Sequence, residues 1–410
     1  MDEIEKKVIE KINEMREEII KFHQEIVQIP SENPPSKYKD VAKFTESMMS
    51  QIGLETTIKR NNVVGTYDNN HEHEKERALI FYGHYDTVEA FKGWKKDPFG
   101  GEIVDEKIYG RGSSDDKSSV TAEIFATKAL LELGINLKGK LTLTAVGDEE
   151  TGGLRGVEHL LNSGVLTGDV CLLGDAPCDY AFGYTGGTIY ATITIKGKQA
   201  HGLAAPDLPV PYRNEQSGIN TIERMVKVMN YLIELNKEFL NKETKYPLPD
   251  EFTTKVSHIN LAEIHGGNKI TTVPDKCYLH FSLNTIPEQD VKSIKEEFLK
   301  FVDKLKANDP DLDITVQMPI QMEPFVIDGK SEFAQAVKKA VKSLYEEEKE
   351  FQLFMPSTDA HWFQEKGIET ILVGASRYDN NWHSADEFVY IRDLINVTKL
   401  YALTALNYLT

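Results

Sequence analysis

Apolar and polar positions follow two periods along this chain. Val41, Phe44, Met48 and Ile52 recur at the spacing of one helical face. RALIFYGHYDTV is a short apolar run ending in polar residues, which predicts a buried strand. SVTAEIFATKALLELG predicts a helix closed by Gly134, the residue type that most easily takes the left-handed turn at a helix end. KLTLTAVGDEETGG and DVCLLGDAP are further apolar runs, each ending in acids. Strands alternating with helices predict a mostly parallel sheet covered by helices on both faces.

The pattern changes near Gly186–Gly187. TIYATITIKGK alternates with period two, as a half-buried strand does. A helical stretch follows from about Ile219 to Leu240, then the strand patterns TTKVSHINLAEIH and KCYLHFSLNTIP. Val291, Ile294, Phe298, Val302 and Leu305 mark another helix, and DITVQMPIQ another strand. The order strand-helix-strand-strand-helix-strand predicts a small ferredoxin-like α+β domain. Helix and strand patterns then resume, with an apolar stripe at Phe333, Val337, Ala340 and Leu344, a buried strand in KGIETILVGAS, and a final helix in RDLINVTKLYALTALNYL. The expected organisation is an α/β catalytic domain in two parts, 1–186 and 321–410, interrupted by an inserted domain at 187–320.

Composition narrows the function. A chain of 410 residues exceeds what one core usually holds. The formal net charge of -18 argues against nucleic-acid partners, which need basic patches. No apolar run approaches the length needed to cross a membrane. The opening segment, MDEIEKKVIEKINEMREEIIKF, reads as a charged amphipathic helix and not as a signal peptide. Three cysteines (Cys171, Cys178 and Cys277) match neither a disulfide framework nor a zinc knuckle, so a reducing, cytoplasmic location is expected.

Four apolar runs, LIFYGHYD, LTLTAVGDEE, VCLLGD and TILVGAS, end in or lead to a candidate metal ligand, the last one leading to Trp382–His383. In an open parallel sheet, ligands bind beyond the carboxyl ends of the strands, so these residues are expected to converge. The acids of GRGSSDDKS precede a helix, whose free N–H groups suit a carboxylate. His84 and Asp86, two apart on a strand, would point the same way. His84 could bind a metal while Asp86 accepts from its other ring nitrogen; the pair also fits a buried core contact. Of the adjacent Glu149 and Glu150, one could ligate while the other takes a proton; a solvated turn before TGG is the alternative. Asp115 and Asp116 share that ambiguity. Asp175 could ligate or cap a helix, and His383 taken alone is a surface histidine. A carboxylate-rich set with two histidines favours zinc, manganese or cobalt over thiolate-bound zinc. HEHEKE, from His71 to Glu76, reads as an exposed loop.

The motifs GHYDTV, YGRGSSDDKS, VGDEETGG, LLGDAP, IKGKQAHG, IHGGNKITTVP, STDAHWF and WHSADEFV occur here in the order of a known family. The chain resembles the di-zinc enzymes that include acetylornithine deacetylase, succinyl-diaminopimelate desuccinylase, aminoacylase, carboxypeptidase G2-like enzymes and carnosinase-type dipeptidases. That resemblance implies that His84 and Asp175 bind one zinc, Glu150 and His383 the other, and that Asp115 bridges them. It also implies that Asp86 orients His84 and that Glu149 is the general base. His201 would reach across a homodimer to stabilise the oxyanion, with the inserted domain as dimerisation lid.

The departures concern substrate recognition. Deacylases of this family usually carry Glu at the place of Asp175, whereas Asp resembles the aminopeptidase and dipeptidase branch. The family's Asn is Thr271 here, and its arginines are replaced by Asn284 and by Thr185 or Gly186. Those residues commonly clamp a substrate carboxylate, a bidentate task that suits Arg. Arg377 or Arg213 could substitute, or be ordinary loop arginines. The expected activity is hydrolysis of an amide bond in small peptides, as by a dipeptidase or exopeptidase, or in N-acyl amino acids. An acetylornithine- or succinyl-diaminopimelate-type deacylase is the alternative, and a non-catalytic binding protein of the same fold is a third reading.

Overall fold

The computed structural model describes residues 1–68, 77–209, 212–250 and 254–410. HEHEKE lies outside the described residues. Two compact units emerge. One comprises 1–183, 327–354 and 358–410, the other 184–326 and 355–357.

The first unit is built on a central sheet whose four middle strands are parallel: Gly139–Val146, Arg77–His84, Val170–Leu173 and Glu369–Leu372, side by side in that order. Asn62–Asp68 and Glu55–Lys59 continue one edge antiparallel. Burial along these middle strands is continuous and does not alternate, as it must be in strands covered on both faces. Consecutive residues show the two covers. Phe81 packs on Tyr401 of the helix Ile391–Leu409, and Tyr82 packs edge-on against Phe363 of the helix Ala360–Glu365.

Lys117–Glu132 is the helix expected from SVTAEIFATKALLELG, and Gly134 closes it at φ +64°. It is buried nearly all round because helices 3–14, 16–27 and 391–409 pack on it, as does the strand Arg77–His84. The N-terminal segment forms two helices instead of one. Glu3–Glu14 and Arg16–Val27 meet at Met15 (φ −82°, ψ 2°), and the bend lets Val8 and Ile12 be buried along with Ile19 and Ile26. Asp2 and Glu5 close the start with a reciprocal capping box.

The second unit has four antiparallel strands in the order His258–Gly266, Lys276–Thr285, Gly187–Lys196 and Asp313–Met322. Helices Thr221–Phe239 and Val291–Asn308 fall between them in sequence. Burial alternates along Lys276–Thr285, and the buried side carries Cys277, Leu279, Phe281 and Leu283. These pack with Met225, Val228, Phe298 and Val302 from the two helices into one core.

Candidate active site

The parallel strands bring their carboxyl ends to one edge of the first unit. His84 is the last residue of its strand. Beyond Val146 the chain turns through Asp148, at φ 81°, into the short 3-10 helix Glu149–Thr151. Asp175 follows Leu173 at φ 43°, and His383 lies on the loop after Glu369–Leu372 at φ 54°. Left-handed backbone is uncommon outside glycine, with Asp and His among the side chains that tolerate it best, and it clusters at functional sites.

Five of the expected ligands meet here. Ligand atoms of His84, Asp115 and Asp175 lie within 4.8 Å of one another, as do those of Asp115, Glu150 and His383. Asp115 belongs to both groups, one oxygen each. Its Oδ1 is 3.2 Å from His84 Nε2, and its Oδ2 is 3.2 Å from His383 Nε2. His383 Nε2 is also 3.1 Å from Glu150 Oε2. His84 Nε2 is buried and, despite that short distance, makes no hydrogen bond. Two polar atoms so placed are aimed at a common third point, as two ligands of one ion are.

The electrostatics agree. Burial drives the carboxyls of Glu149 and Asp175 well above their ordinary range, and neighbouring acid charges (Asp175 for the first, Asp115 for the second) push the same way. Burial would raise Asp115 too, but contacts from His383 and His84 hold it far below. His383 is pushed up to about 11 by the carboxylates of Asp115 and Glu150 that face its Nε2. Burial pulls His84 down, yet Asp115 and Asp86 hold it well above its usual value. Crowded, partly buried acids that raise the basicity of the histidines between them are short of positive charge. Divalent cations would supply it, so the donor set fits them.

The surrounding contacts orient these groups. His84 Nδ1 bonds the backbone carbonyl of Asp86 at 3.0 Å, and the Asp86 carboxylate is 3.4 Å away. Asp86 lies beyond the strand end. Its oxygens accept from the amides of Glu149 (3.2 Å) and Glu150 (3.3 Å) and from Asn33 Nδ2 (3.0 Å). Asn33 also donates to Thr151. Asp116 accepts from Ser119 Oγ and from the His84 amide, and burial raises it to about 7. Gly174 makes room for that contact, since a Cβ there would lie 2.1 Å from Ser119 Oγ.

His201 belongs to the second unit, on the two-residue strand Ala200–His201. It is exposed. Its Nδ1 accepts from the amides of Leu203 and Ala204, which leaves the proton on Nε2. Both candidate clamps are engaged elsewhere. Arg377 pairs with Asp393 and Asp179, and Arg213 with Asp207 and Asp311. Asn284 contacts Thr188 and His258 within its own unit.

Residues 80–407 match the description of Peptidase family M20/M25/M40. The chain belongs to this family. Membership makes it an enzyme of the metallopeptidase and amidohydrolase class, acting on C–N bonds. Among its relatives, the N-formyl-4-amino-5-aminomethyl-2-methylpyrimidine deformylase of Halalkalibacterium halodurans is 27% identical over 412 residues, covering 95% of this chain and 93% of that one. The succinyl-diaminopimelate desuccinylase of Hydrogenovibrio crunogenus is 26% identical over 344 residues, with coverages of 81% and 84%. Human carnosine dipeptidase 1 shares the M20 fold at a TM-score of 0.76 and 18% identity, covering 99% of each chain. Among the described residues, no helix is long and apolar enough to cross a membrane.

Proposed function

We propose that this M20 chain is a dinuclear hydrolase that cleaves the amide bond of small peptides. The observation that carries the reading is Asp115, whose two carboxylate oxygens each serve a separate ligand cluster. His84 and Asp175 would complete one cluster, and Glu150 and His383 the other, with zinc as the ion and manganese or cobalt as alternatives. When bound, two such ions supply the Lewis acidity that polarises a carbonyl and makes a water acidic. Glu149, adjacent to the ligand Glu150, takes the proton from the attacking water and passes it to the leaving nitrogen. Asp86 holds the amides of both glutamates, so it orients base and ligand together. His201 offers its Nε2–H to the oxyanion, acting in the site of the other subunit of a homodimer formed through the inserted domain. The cytoplasm is the proposed location, in keeping with three free, buried cysteines.

Asp175 and the likeness in fold to a carnosine dipeptidase favour dipeptides. The two relatives closer in sequence are a deformylase and a desuccinylase, which supports N-acyl substrates as a second reading. A panel of dipeptides and of N-formyl, N-acetyl and N-succinyl compounds, assayed with zinc, manganese or cobalt, separates the two. Dipeptide turnover that disappears on chelation and returns with metal is the expected result. Turnover of N-acyl compounds alone would reject the dipeptidase reading, and no turnover with any ion would reject the enzyme's proposed substrates altogether.

A further inference from the structure

His383 has the least regular support of the clustered residues. It is 56% exposed and sits on a loop where Asn381, His383 and Asp386 all adopt left-handed backbone. His84, by contrast, ends a buried strand, and Glu150 lies in a turn gripped by Asp86. Asp386 accepts from the amides of Lys95 and Lys96, and Trp382 donates to the Arg377 carbonyl, but the contacts that join this loop to the Asp115 loop centre on Glu387, four residues beyond His383.

Glu387 is fully buried and accepts from four donors. Its Oε1 takes the amides of Ser114 (3.0 Å) and Asp115 (3.2 Å). Its Oε2 takes the amide of Gly112 (3.2 Å) and the guanidinium of Arg111 (2.5 Å). The two segments are sewn together from the other side as well. Gly110 N–H donates to the Glu387 carbonyl, Arg111 to the Ser384 carbonyl, and Ser114 Oγ to Asn380. One carboxylate therefore fixes the Asp115 loop against the segment that carries His383.

We propose that Glu387 is a positioning residue that sets the affinity of the Asp115–Glu150–His383 cluster for its ion. This rests on the dinuclear reading above. The carboxylate touches neither ligand side chain; it acts by holding their backbones in register. A carboxylate can face four N–H donors at once because all its lone pairs accept. Glutamine presents an NH2 to at least two of them, so the loop must part. Asp115 is followed directly by the helix that begins at Lys117, whereas His383 lies in no helix or strand and depends on the contacts of its loop. The effect therefore falls on the His383 cluster more than on the His84–Asp115–Asp175 cluster.

The test is a calorimetric titration of metal-free protein with zinc against a competing chelator, on wild type, Glu387→Gln and Glu387→Asp. Glu387→Asp keeps the charge opposite buried Arg111 and so retains the fold, while shortening the arm. Wild type should take up two ions. Glu387→Gln should bind one of them about 10- to 100-fold more weakly, as loss of a ligand-orienting partner does, and the other nearly unchanged. Glu387→Asp should weaken the same ion to a lesser degree, with the melting point of the metal-free protein close to wild type. Unchanged affinities, or equal weakening of both ions, would overturn the assignment of Glu387. Uptake of fewer than two ions by wild type would overturn the dinuclear reading instead.

Discussion

The ring nitrogen Nδ1 of His84 is held at 3.0 Å by the backbone carbonyl of Asp86, which leaves the Asp86 carboxylate free to grip the Glu149–Glu150 turn. Asp86→Asn should therefore leave His84 oriented but loosen the turn, because one carboxylate oxygen becomes a donor facing N–H groups. We expect metal content near wild type and kcat lower by about 10-fold or more. A variant that loses metal while its remaining loaded fraction turns over normally would show that the carboxylate serves His84 instead.

Glu149→Gln preserves size and removes the proton acceptor. Turnover should fall by about 10²- to 10⁴-fold, with metal stoichiometry and KM little altered. The check is single-substrate kinetics on protein whose metal content has been measured. Full activity in the loaded variant would eliminate Glu149 as the base.

His201 allows a mixing experiment. If it serves the site of the other subunit, Glu149→Gln and His201→Asn proteins are each inactive alone. After mixing and exchange, a heterodimer holds one site with both an intact Glu149 and an intact His201. Activity should return to about a quarter of wild type, since half the dimers are mixed and one of their two sites is complete. Mixtures that stay as inactive as their components would exclude action in trans.

Two buried histidines that are not among the candidate ligands set an acid limit. Burial lowers His23 to about 3 and His361 to about 4. His23 Nε2 faces the Ser113 carbonyl, which can only accept, so the neutral ring donates there, and Nδ1 lies 2.9 Å from Thr121 Oγ1. Both folded values lie below the unfolded value of about 6.5. Between those limits the unfolded chain binds more protons, so the contribution of these histidines to stability is complete above about pH 6.5 and declines as pH falls. Each histidine contributes a slope of about 1.4 kcal/mol per pH unit within its window. Urea unfolding at pH 7 and pH 5 should show His23→Gln losing less stability on acidification than wild type. Parallel losses in the two proteins would count against this assignment.

The fold was readable where burial is continuous. Unbroken apolar runs such as LIFYG and VCLL announce covered parallel strands, and alternation in KCYLHFSLNT announces a one-sided sheet. The approach of His84, Glu150 and Asp175 follows from strand direction, once the ends are seen to be polar, whereas Asp115 comes from the start of the helix Lys117–Glu132 and His383 from a loop well past its strand. Their supports were not readable. Asn33 reaches Asp86 from a loop, and Glu387 binds amides more than 270 residues away in sequence. Such bonds leave no period, because a backbone amide looks the same under every side chain. The motifs STDAHWF and WHSADEFV did contain the hidden partners. Asp359 of the first receives the Tyr82 hydroxyl at 2.5 Å, and Glu387 of the second holds the Asp115 loop. The break at Met15 left no mark either, since the apolar spacing runs through it.

The division of the first unit into segments far apart in sequence has a consequence for biosynthesis. During translation, Lys117–Glu132 leaves the ribosome long before Ile391–Leu409, the helix that packs along it. Until then a helix destined for burial on nearly every side and one flank of the strand Val170–Leu173 lack their partners. The second unit, contiguous apart from three residues, can close its own core in the interval. A stalled or prematurely terminated chain thus presents a finished antiparallel domain attached to an open parallel sheet, the kind of surface that chaperones bind and that aggregates when they do not.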